Sequence, residues 1–315
     1  MSTSTLPIPH QLVPDDLITM VLDSVSSHHS RRAYRKALED FLLWCGDVGV
    51  RAFNRASVQK YKAELERLGF APSTISQRLS AIRKLATEAA DNALLAPEIA
   101  AGITRVKGPR REGVRIGKWL TREQADNLLS LPSHSRIKGV RDSAVLGIMV
   151  GCGLRRGEVA DLCFENVRRV ENRWILADII GKNNRVRTVP MPGWAKESLD
   201  CWADSAGIST GHIFRALTRA GKLAGDSITA QGIFDIVKSY AAIGGLDLAP
   251  HDLRRSHAKL AYKGGAALEQ IQICLGHASL ITTQLYLGLQ LDLNDAPCDH
   301  LGLRSDRLGR ATTSK

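Results

Sequence analysis

A segment without hydrophobic periodicity divides this 315-residue chain and limits what it can fold into. Residues 105–118 contain glycines, a proline and several basic side chains against the single acidic Glu112, which is typical of a linker. A chain of this length accommodates two domains, since one domain takes roughly 100 to 200 residues. The sequence therefore predicts two domains joined by a basic linker.

The part before the linker predicts a helical bundle without strands. Residues 1–28 are polar and irregular, whereas residues 29–104 contain four runs of apolar residues at helical spacing. Ser30 and Ser57 are candidate caps of the first and second helices. The third run follows Pro72, and the fourth reads DNALLAPEIAAGI.

The part after the linker, residues 119–290, mixes helical and strand patterns. A T-x-x-Q capping box begins at Thr121. Short β-type runs between residues 167 and 191 predict a three-stranded antiparallel sheet, and helical spacing then continues from 194 to about 287. The tail, residues 291–315, has one weak apolar patch and no assigned element. The predicted fold class is mainly α with a small antiparallel β-sheet.

Composition narrows the possible partners and the compartment. The 43 basic and 32 acidic residues give a net charge of +11, which favours a polyanionic partner such as nucleic acid. The longest apolar stretch, residues 144–154, is shorter than the ~18 residues that span a bilayer, and no secretory signal is visible. The six cysteines lie far apart without a C-x-x-C pair, as expected of reduced thiols. We expect a cytoplasmic protein without a membrane partner.

Several segments concentrate polar groups in apolar surroundings. Arg155, in GLRRGEV, follows a buried run and suits a phosphate, although an ion pair with Glu158 at i, i+3 is the alternative. His251 and Arg254, in HDLRRSH, share a helix face and could hold one anion. A capping histidine beside a surface arginine is the simpler interpretation of that pair. Lys182, between two predicted strands, is by itself an ordinary hairpin lysine.

The last such segment is LGHASLITTQLYLG. Gly276 closes a helix, His277 follows it, and Tyr286 lies nine residues further on in a short helical segment. Cys274 and His277 also have a C-x-x-H spacing that suits zinc, but no second pair at comparable spacing supports a metal site.

Taken together and in order, GLRRGEV, GKNNRVRTVP, HDLRR, LGH and the tyrosine nine residues later resemble the tyrosine recombinase family of phage integrases, Xer proteins and Cre. The resemblance covers about residues 28–290. It implies a two-domain architecture, with an N-terminal helical, SAM-like core-binding domain over 29–104 and a mixed α/β catalytic domain over 119–290.

The resemblance also assigns roles to individual residues. It implies two phosphate-holding arginines, a hairpin lysine that protonates the leaving oxygen, a first and a second histidine, and a tyrosine nucleophile. In that order, these are Arg155 and Arg254, Lys182, His251, His277 and Tyr286. No metal, ATP or other cofactor is expected for this chemistry. Arg255 stands where many relatives have a histidine, and we expect that difference to affect packing only.

The activity implied by the resemblance is site-specific DNA recombination through a 3′-phosphotyrosine and a Holliday junction. The implied partners are double-stranded DNA with inverted-repeat core sites and, because two duplexes are exchanged, four copies of the chain on two DNA sites. An accessory DNA-bending factor is a further candidate partner. Candidate DNA-binding residues lie on the third helix and in the linker: Arg78, Arg83, Lys84, Lys107, Arg110, Arg111 and Arg115. Ordinary solvated side chains are the alternative for each of them.

Other functions compete with this interpretation. Within the family, a mobile-element integrase is favoured over an Xer-type dimer resolvase. A type IB topoisomerase would use the same tyrosine chemistry as a monomer and relax supercoils. A non-catalytic DNA-binding accessory factor would also be basic and helical, but it has no need for all six reaction residues together.

Overall fold

The computed structural model describes residues 15–26, 28–109, 118–181 and 184–288. The chain divides into two compact units, Met1–Gly113 and Val114–Lys315, and the division falls inside the segment for which the sequence predicts a linker. Residues 110–117 of that segment, and the tail 291–315, lie outside the described residues. The predicted fold class is confirmed, since helices predominate and the strands form small antiparallel sheets.

The first unit is a helical bundle. Its helices are α1 Asp15–Asp23, α2 His28–Asp47, α3 Arg55–Arg67, α4 Pro72–Asp91 and α5 Pro97–Thr104. Apolar side chains at helical spacing, such as Phe41, Leu79 and Ile82, are buried in one core. The fourth predicted helix is shorter than expected, because α4 ends at Asp91 and α5 begins only at Pro97.

Helix α1 lies in the segment for which the sequence predicted irregular structure. Its Ile18, Val21 and Leu22 are buried in the core of the bundle. The helix has nine residues, so few turns are available for a 3.6-residue period to stand out beside polar, Pro-containing sequence. The expectation of an irregular 1–28 segment is therefore wrong for residues 15–23.

The predicted caps of α2 and α3 also differ from the structure. Helix α2 begins at His28, two residues before Ser30. Asn54 is the N-cap of α3, and Ser57 completes the capping box from the third helical position, with reciprocal hydrogen bonds of 3.1 Å.

The second unit combines α-helices with the β-strands of the described residues. Its α-helices are α6 Arg122–Ser130, α7 Ile137–Cys152, α8 Arg156–Ala160, α9 Gly193–Ala206, α10 Ala230–Ile243, α11 Pro250–Lys263, α12 Leu268–Leu275 and α13 Leu280–Leu287. Helix α7 is buried on every side from Gly139 to Val150 and packs against α9 and α11. It is the central helix of this core, and its carboxyl end leads directly to Arg155.

The predicted three-stranded sheet is confirmed. Strands β1 Val167–Val170, β2 Arg173–Ile180 and β3 Val186–Pro190 pair antiparallel in that order. Glu171 and Asn172 have φ values of 45° and 66°, as a two-residue turn of the primed type requires. In the second turn, Lys182 and Asn183 lie outside the described residues.

A second, smaller hairpin interrupts the region of expected helical spacing. Strands β4 Ala216–Leu217 and β5 Leu223–Ala224 pair between α9 and α10. Two residues per strand are too few to produce a period-2 pattern, so no local pattern marks these strands.

No helix within the described ranges combines the length and apolarity that crossing a membrane requires.

The capping box expected at Thr121 is present at the start of α6. The Thr121 Oγ1 accepts from the Gln124 backbone N–H at 3.2 Å, and the Gln124 side chain accepts from the Thr121 N–H at 3.0 Å.

We predict that Thr121→Ala lowers the free energy of unfolding of the second unit by about 1 kcal/mol, because one helix N–H loses its acceptor. Urea denaturation measures this loss, and Thr121→Ser, which keeps the hydroxyl, should stay near wild type. Equal losses in both variants would contradict the prediction.

Candidate active site

A buried carboxylate joins three arginines in the second unit. Arg155 is the N-cap of α8, and its backbone N–H and Nη1 donate to Glu158 at 2.8 and 2.7 Å. Arg187 on β3 donates to both oxygens of the same carboxylate, at 3.0 and 2.7 Å. Arg254 on α11 approaches it to 3.9 Å. We call Glu158, Arg155, Arg187 and Arg254 the Glu158 cluster, which contains the i, i+3 ion pair that the sequence left as an alternative.

The carboxylate in this cluster is charged at neutral pH. Burial disfavours the charge, but the hydrogen bonds from Arg187 and from the Arg155 backbone outweigh it and hold the pKa of Glu158 below its ordinary value. One negative charge therefore partly balances three guanidinium groups that would otherwise repel one another.

Arg254 is fixed by backbone carbonyls. It is only 2% exposed, and its Nη1 donates to the Gly153 carbonyl at 2.6 Å while its Nη2 donates to the Leu275 carbonyl. Burial, which has the largest effect, and the charge of Arg155 lower the pKa of Arg254 to about 10. The guanidinium therefore remains protonated at neutral pH. The result is a cation held rigidly at the carboxyl end of α12.

Two arginines bind successive carbonyls at that helix end. Arg187 Nε donates to the Cys274 carbonyl at 2.8 Å, and Arg254 donates to the next carbonyl. Gly276 closes α12 in the left-handed region with φ 63°, as the sequence predicted, and a Cβ there would lie 2.9 Å from the Arg187 Cδ. This close approach sets the position of His277, the next residue.

A second glycine brings α7 and α11 together. Gly153 has φ 61°, and a Cβ there would lie 2.6 Å from the ring of His257. The His257 Nδ1 lies 3.0 Å from the Val150 carbonyl. His257, the last residue of HDLRRSH, is therefore part of the packing between these two helices.

Tyr286 on α13 contacts two histidines. Its ring centroid is 5.2 Å from that of His251 and 5.1 Å from that of His277, with interplanar angles of 77° and 79°. The phenol Oη donates to the backbone carbonyl of His251 at 3.3 Å. The His277 Nδ1 lies 3.0 Å from Thr283 Oγ1, which orients that ring.

The protonation states of these groups follow from burial and from the nearby arginines. Burial, together with the positive charge of Arg254, lowers the pKa of His277 to about 4. Partial desolvation and the charge of Arg255 lower the pKa of His251. Burial raises the pKa of Tyr286. At neutral pH the site therefore presents neutral imidazoles beside a protonated phenol.

The resemblance assigns six residues to the reaction, and the described structure includes five of them: Arg155, His251, Arg254, His277 and Tyr286. Two belong to the Glu158 cluster, and the other three meet at the tyrosine ring. The sixth, Lys182, lies outside the described residues. The base of its hairpin lies beside Arg155, because a Cβ at Gly181 would be 3.5 Å from the Arg155 Nη1.

Sequence reasoning missed two arginines at this site. The partners of Arg187 are 29 and 87 positions away along the chain, so no local pattern marks it. Arg255 was expected to affect packing only. Its Cζ lies 4.9 Å from the centroid of the Tyr286 ring, so it contacts a candidate site residue directly.

Arg78, a candidate DNA-binding residue on α4, has partners inside the first unit. Its Nη1 donates to Tyr61 Oη at 2.8 Å, and its Nη2 forms an ion pair with Asp40 at 2.8 Å. Its Cζ lies 4.8 Å from the centroid of the Phe70 ring. These contacts give the side chain a structural role in the bundle.

The other two candidates on α4 also make internal contacts. Arg83 donates to the Val106 carbonyl. Lys84 pairs with Glu88, one turn further along the helix, at 2.6 Å. Both side chains are predicted DNA contacts, and both already have partners within the first unit.

A cleft of about 320 Å³ in the first unit gathers basic side chains that sequence reasoning did not connect. Helix α3 and the residues after α5 line it, and Lys107 is its one member among the sequence candidates. We call it the basic cleft; its lining residues are Arg55, Gln59, Lys62, Arg105, Val106 and Lys107. The remaining linker candidates, Arg110, Arg111 and Arg115, lie outside the described residues.

Among the described residues, no further metal ligands join Cys274 and His277 to support the zinc alternative. Within the part of the chain that the structure describes, no group of three or more His, Cys, Asp or Glu side chains is arranged to hold a metal ion. The Cys274 Sγ lies 3.8 Å from the Nε2 of His257 instead.

Two family models match the chain. The model of the phage integrase family matches residues 118–291, and the model of the phage integrase N-terminal SAM-like domain matches residues 17–92. The matched ranges include the Glu158 cluster and Tyr286 in the first case and most of the helical bundle in the second.

Similar proteins with curated names include two tyrosine recombinases. Tyrosine recombinase XerD of Vibrio cholerae serotype O1 is 30% identical over 285 residues, which cover 87% of this chain and 90% of that protein. Tyrosine recombinase XerC of Roseiflexus castenholzii is 31% identical over 289 residues, which cover 88% of each chain.

Solved structures of similar fold include two DNA complexes. XerH bound to a palindromic difH substrate, in a post-cleavage complex, aligns with a TM-score of 0.66 at 19% identity over 82% of this chain and 76% of that one. A lambda integrase (75–356) dimer bound to a COC′ core site aligns with a TM-score of 0.65 at 14% identity, over 88% of this chain and 96% of that one. These structures show that the fold is shared.

We predict that Glu158→Gln lowers the free energy of unfolding of the second unit by about 3 kcal/mol, because three clustered guanidinium groups lose their counter-charge. Fluorescence-detected urea denaturation measures the loss, since four of the five tryptophans belong to this unit. Glu165→Gln, which removes an exposed carboxylate nearby, should stay near wild type.

The stability difference between wild type and Glu158→Gln should also depend on pH. The pKa of Glu158 is held below its usual 4.5, so the unfolded chain binds a proton at a higher pH than the folded chain does. The stability that Glu158 contributes is thus present above about pH 4.5 and decreases as the pH falls through the folded-state pKa. The difference between wild type and Glu158→Gln should therefore narrow on acidification, and a constant difference would contradict the prediction.

Proposed function

The chain belongs to the phage integrase family of tyrosine recombinases, and we propose that it cleaves and rejoins DNA at specific sites through a covalent bond between Tyr286 and a DNA 3′-phosphate. The position of Tyr286 carries this proposal. Its ring contacts both His251 and His277, and the charges of Arg254, Arg255 and Arg155 act on its oxygen. A nucleophile, a candidate base and fixed cations thus come from one unit.

In the proposed cleavage step the Tyr286 oxygen attacks phosphorus, a new O–P bond forms, and the bond from phosphorus to the 5′-oxygen breaks. The phenol is protonated at neutral pH, so its proton needs an acceptor. The neutral imidazole of His251, beside the phenol ring, supports that residue as the acceptor. The tyrosyl ester conserves the bond energy, so a 5′-hydroxyl can reverse the reaction and join the strands.

We assign phosphate binding to Arg155, Arg254 and His277. The Arg155 side chain is 36% exposed, so a phosphate can approach it while its Nη1 holds Glu158. Each Nη of Arg254 gives one hydrogen to a carbonyl and carries a second one. Cations fixed before the reaction stabilise charge that develops at phosphorus without reorganisation.

The general acid in this proposal is Lys182, which protonates the leaving 5′-oxygen. Its support is the match of GKNNRVRTVP to the family pattern and the approach of the hairpin base to Arg155. With the tyrosyl proton accepted by His251 and the 5′-oxygen protonated by Lys182, the step needs no metal or other cofactor to balance its protons.

Double-stranded DNA with inverted-repeat core sites is the proposed substrate. The net charge of +11, the basic cleft and the DNA-bound state of the structural neighbours support it. We include Lys107 and the linker residues Arg110, Arg111 and Arg115 among the proposed phosphate contacts. Since Arg78, Arg83 and Lys84 have partners within the bundle, any contact they make with DNA requires those partners to be shared or exchanged.

The proposed biological role is that of a mobile-element integrase in the cytoplasm, acting as four copies on two DNA sites, with an accessory DNA-bending factor as a further partner. Dimer resolution is the second candidate. Joining two separate molecules that carry different sites would support integration. Resolution of one plasmid that carries two directly repeated sites would support the second candidate.

We predict that the wild-type protein forms a covalent adduct with DNA and that Tyr286→Phe forms none while binding DNA with near-normal affinity, because only the attacking oxygen is lost. The substrate is a nicked duplex made from DNA that flanks the gene, incubated without added metal and analysed by denaturing electrophoresis. A slower, protease-sensitive band marks the adduct.

Tyr262→Phe is the matched control, since it removes the hydroxyl of an exposed tyrosine on α11 and should leave the band intact. An adduct formed by Tyr286→Phe would overturn the assignment of the nucleophile. Relaxation of a plasmid without any target site would favour a topoisomerase, and DNA binding without an adduct in the wild type would favour an accessory factor.

The basic cleft gives a prediction for DNA affinity. Arg55 and Lys107 line the cleft and are exposed, so replacing both by alanine should weaken DNA binding and reduce the slope of log affinity against log salt by about 2. Fluorescence anisotropy over a salt series measures both quantities. Lys84→Ala, which removes a lysine already paired with Glu88, should change the slope less, and an unchanged slope in the double variant would exclude the cleft as a phosphate contact.

A further inference from the structure

Arg255 lies against the proposed nucleophile without belonging to the Glu158 cluster. It follows Arg254 on α11, and its guanidinium carbon lies 4.9 Å from the centroid of the Tyr286 ring. That distance is within the range of a cation–π contact. The two neighbouring histidines meet the same ring at nearly right angles, with interplanar angles of 77° and 79°.

The contacts that the structure describes leave the Arg255 charge without a counter-charge. Arg187 and Arg254 donate to carbonyls and to Glu158, whereas no carboxylate of the described residues lies within ion-pair distance of Arg255. The Nε of Arg255 is buried and has no hydrogen-bond partner among those residues. A buried donor without a partner is costly, which points to a use of this side chain beyond packing.

The charged and titratable groups around Tyr286 come from three parts of the second unit. Helix α11 contributes His251, Asp252, Arg254 and Arg255, the start of α8 contributes Arg155, and the turn after α12 contributes His277. Asp252 opposes a negative charge on the phenol oxygen, and the arginines favour it. Both histidines are neutral at neutral pH, so the arginines decide the local field.

We propose that Arg255 is a further catalytic residue, whose guanidinium stabilises the negative charge that the Tyr286 oxygen carries when it attacks phosphorus and when it leaves in the joining step. A phenolate ring presents more negative charge to a cation over its face than a phenol ring does, so the contact favours the charged form. The inference rests on the proposed function, because it concerns the same tyrosine.

The charge of Arg255 opposes the effect of burial on the partly buried Tyr286. Burial raises the pKa of Tyr286, and the charges of Arg254, Arg255 and Arg155 act in the opposite direction. Arg254 and Arg155 are also proposed to bind the phosphate, whose negative charge offsets theirs. Arg255 then remains as a positive charge at the ring itself.

The first experiment measures the tyrosine directly, without DNA. The full chain is prepared with 3-fluorotyrosine, a more acidic phenol, and its five tyrosine signals are followed by ¹⁹F NMR over a pH series, with Tyr286 identified by its absence in Tyr286→Phe. We expect Arg255→Gln to move the Tyr286 midpoint upward by about one pH unit and Arg255→Lys to move it less. The other four signals should keep their wild-type midpoints.

Lys259→Gln is the matched control on the same helix. The Lys259 Nζ lies 4.8 Å from the centroid of the Trp119 ring, so this variant removes a cation–π contact one turn further along α11 and away from Tyr286. It should leave the Tyr286 midpoint unchanged. An unchanged midpoint in Arg255→Gln, an equal shift in Lys259→Gln, or a common shift of all tyrosine signals would overturn the proposal.

The second experiment measures single-turnover cleavage of the nicked duplex at saturating protein. Arg255→Gln should cleave about tenfold more slowly at neutral pH, approach wild type as the pH rises, and keep its DNA affinity. A wild type that forms no adduct would refute the proposed function, while the NMR shift would still report on Arg255. A wild type that cleaves DNA no faster than Arg255→Gln, over the whole pH range, would refute the role of Arg255 alone.

Discussion

The arrangement at the candidate site depends on one buried carboxylate among three guanidinium groups. Glu158 receives hydrogen bonds from Arg155 and from Arg187, and Arg254 lies 3.9 Å away. Without that carboxylate, three cations would share a small, poorly solvated volume, and their repulsion would separate α8, β3 and α11. The ionised Glu158 therefore allows positive charge to be concentrated where an anionic substrate is proposed to bind.

The arginines of this cluster also position the histidine and the tyrosine. Arg187 and Arg254 satisfy two carbonyls at the end of α12, which have no partner within the helix. Gly276 then turns the chain in the left-handed conformation that lets Arg187 approach. His277 follows at once, and the short helix α13 brings Tyr286 back against His277 and His251. The arginines that surround Glu158 thus also help to set the geometry around Tyr286.

Much of this could be predicted from sequence because the signals are local. The T-x-x-Q box at Thr121, the glycine that closes α12 and the three-stranded sheet follow from patterns a few residues long, and all three are present. Features with weak or distant signals were missed. Helix α1 is too short to show a clear period, and Arg187 meets Glu158 from 29 positions away.

The sequence alone determined the fold class and family, because several motifs occur in a fixed order and each local pattern selects its own helix or strand. Only the tertiary structure decided which charges pair. Arg78, Arg83 and Arg255 look alike in sequence as basic residues on helices. The structure gives the first an aspartate, the second a carbonyl and the third the face of Tyr286. The physical reason is that a charge's role depends on the groups that surround it in space, which come from distant parts of the chain.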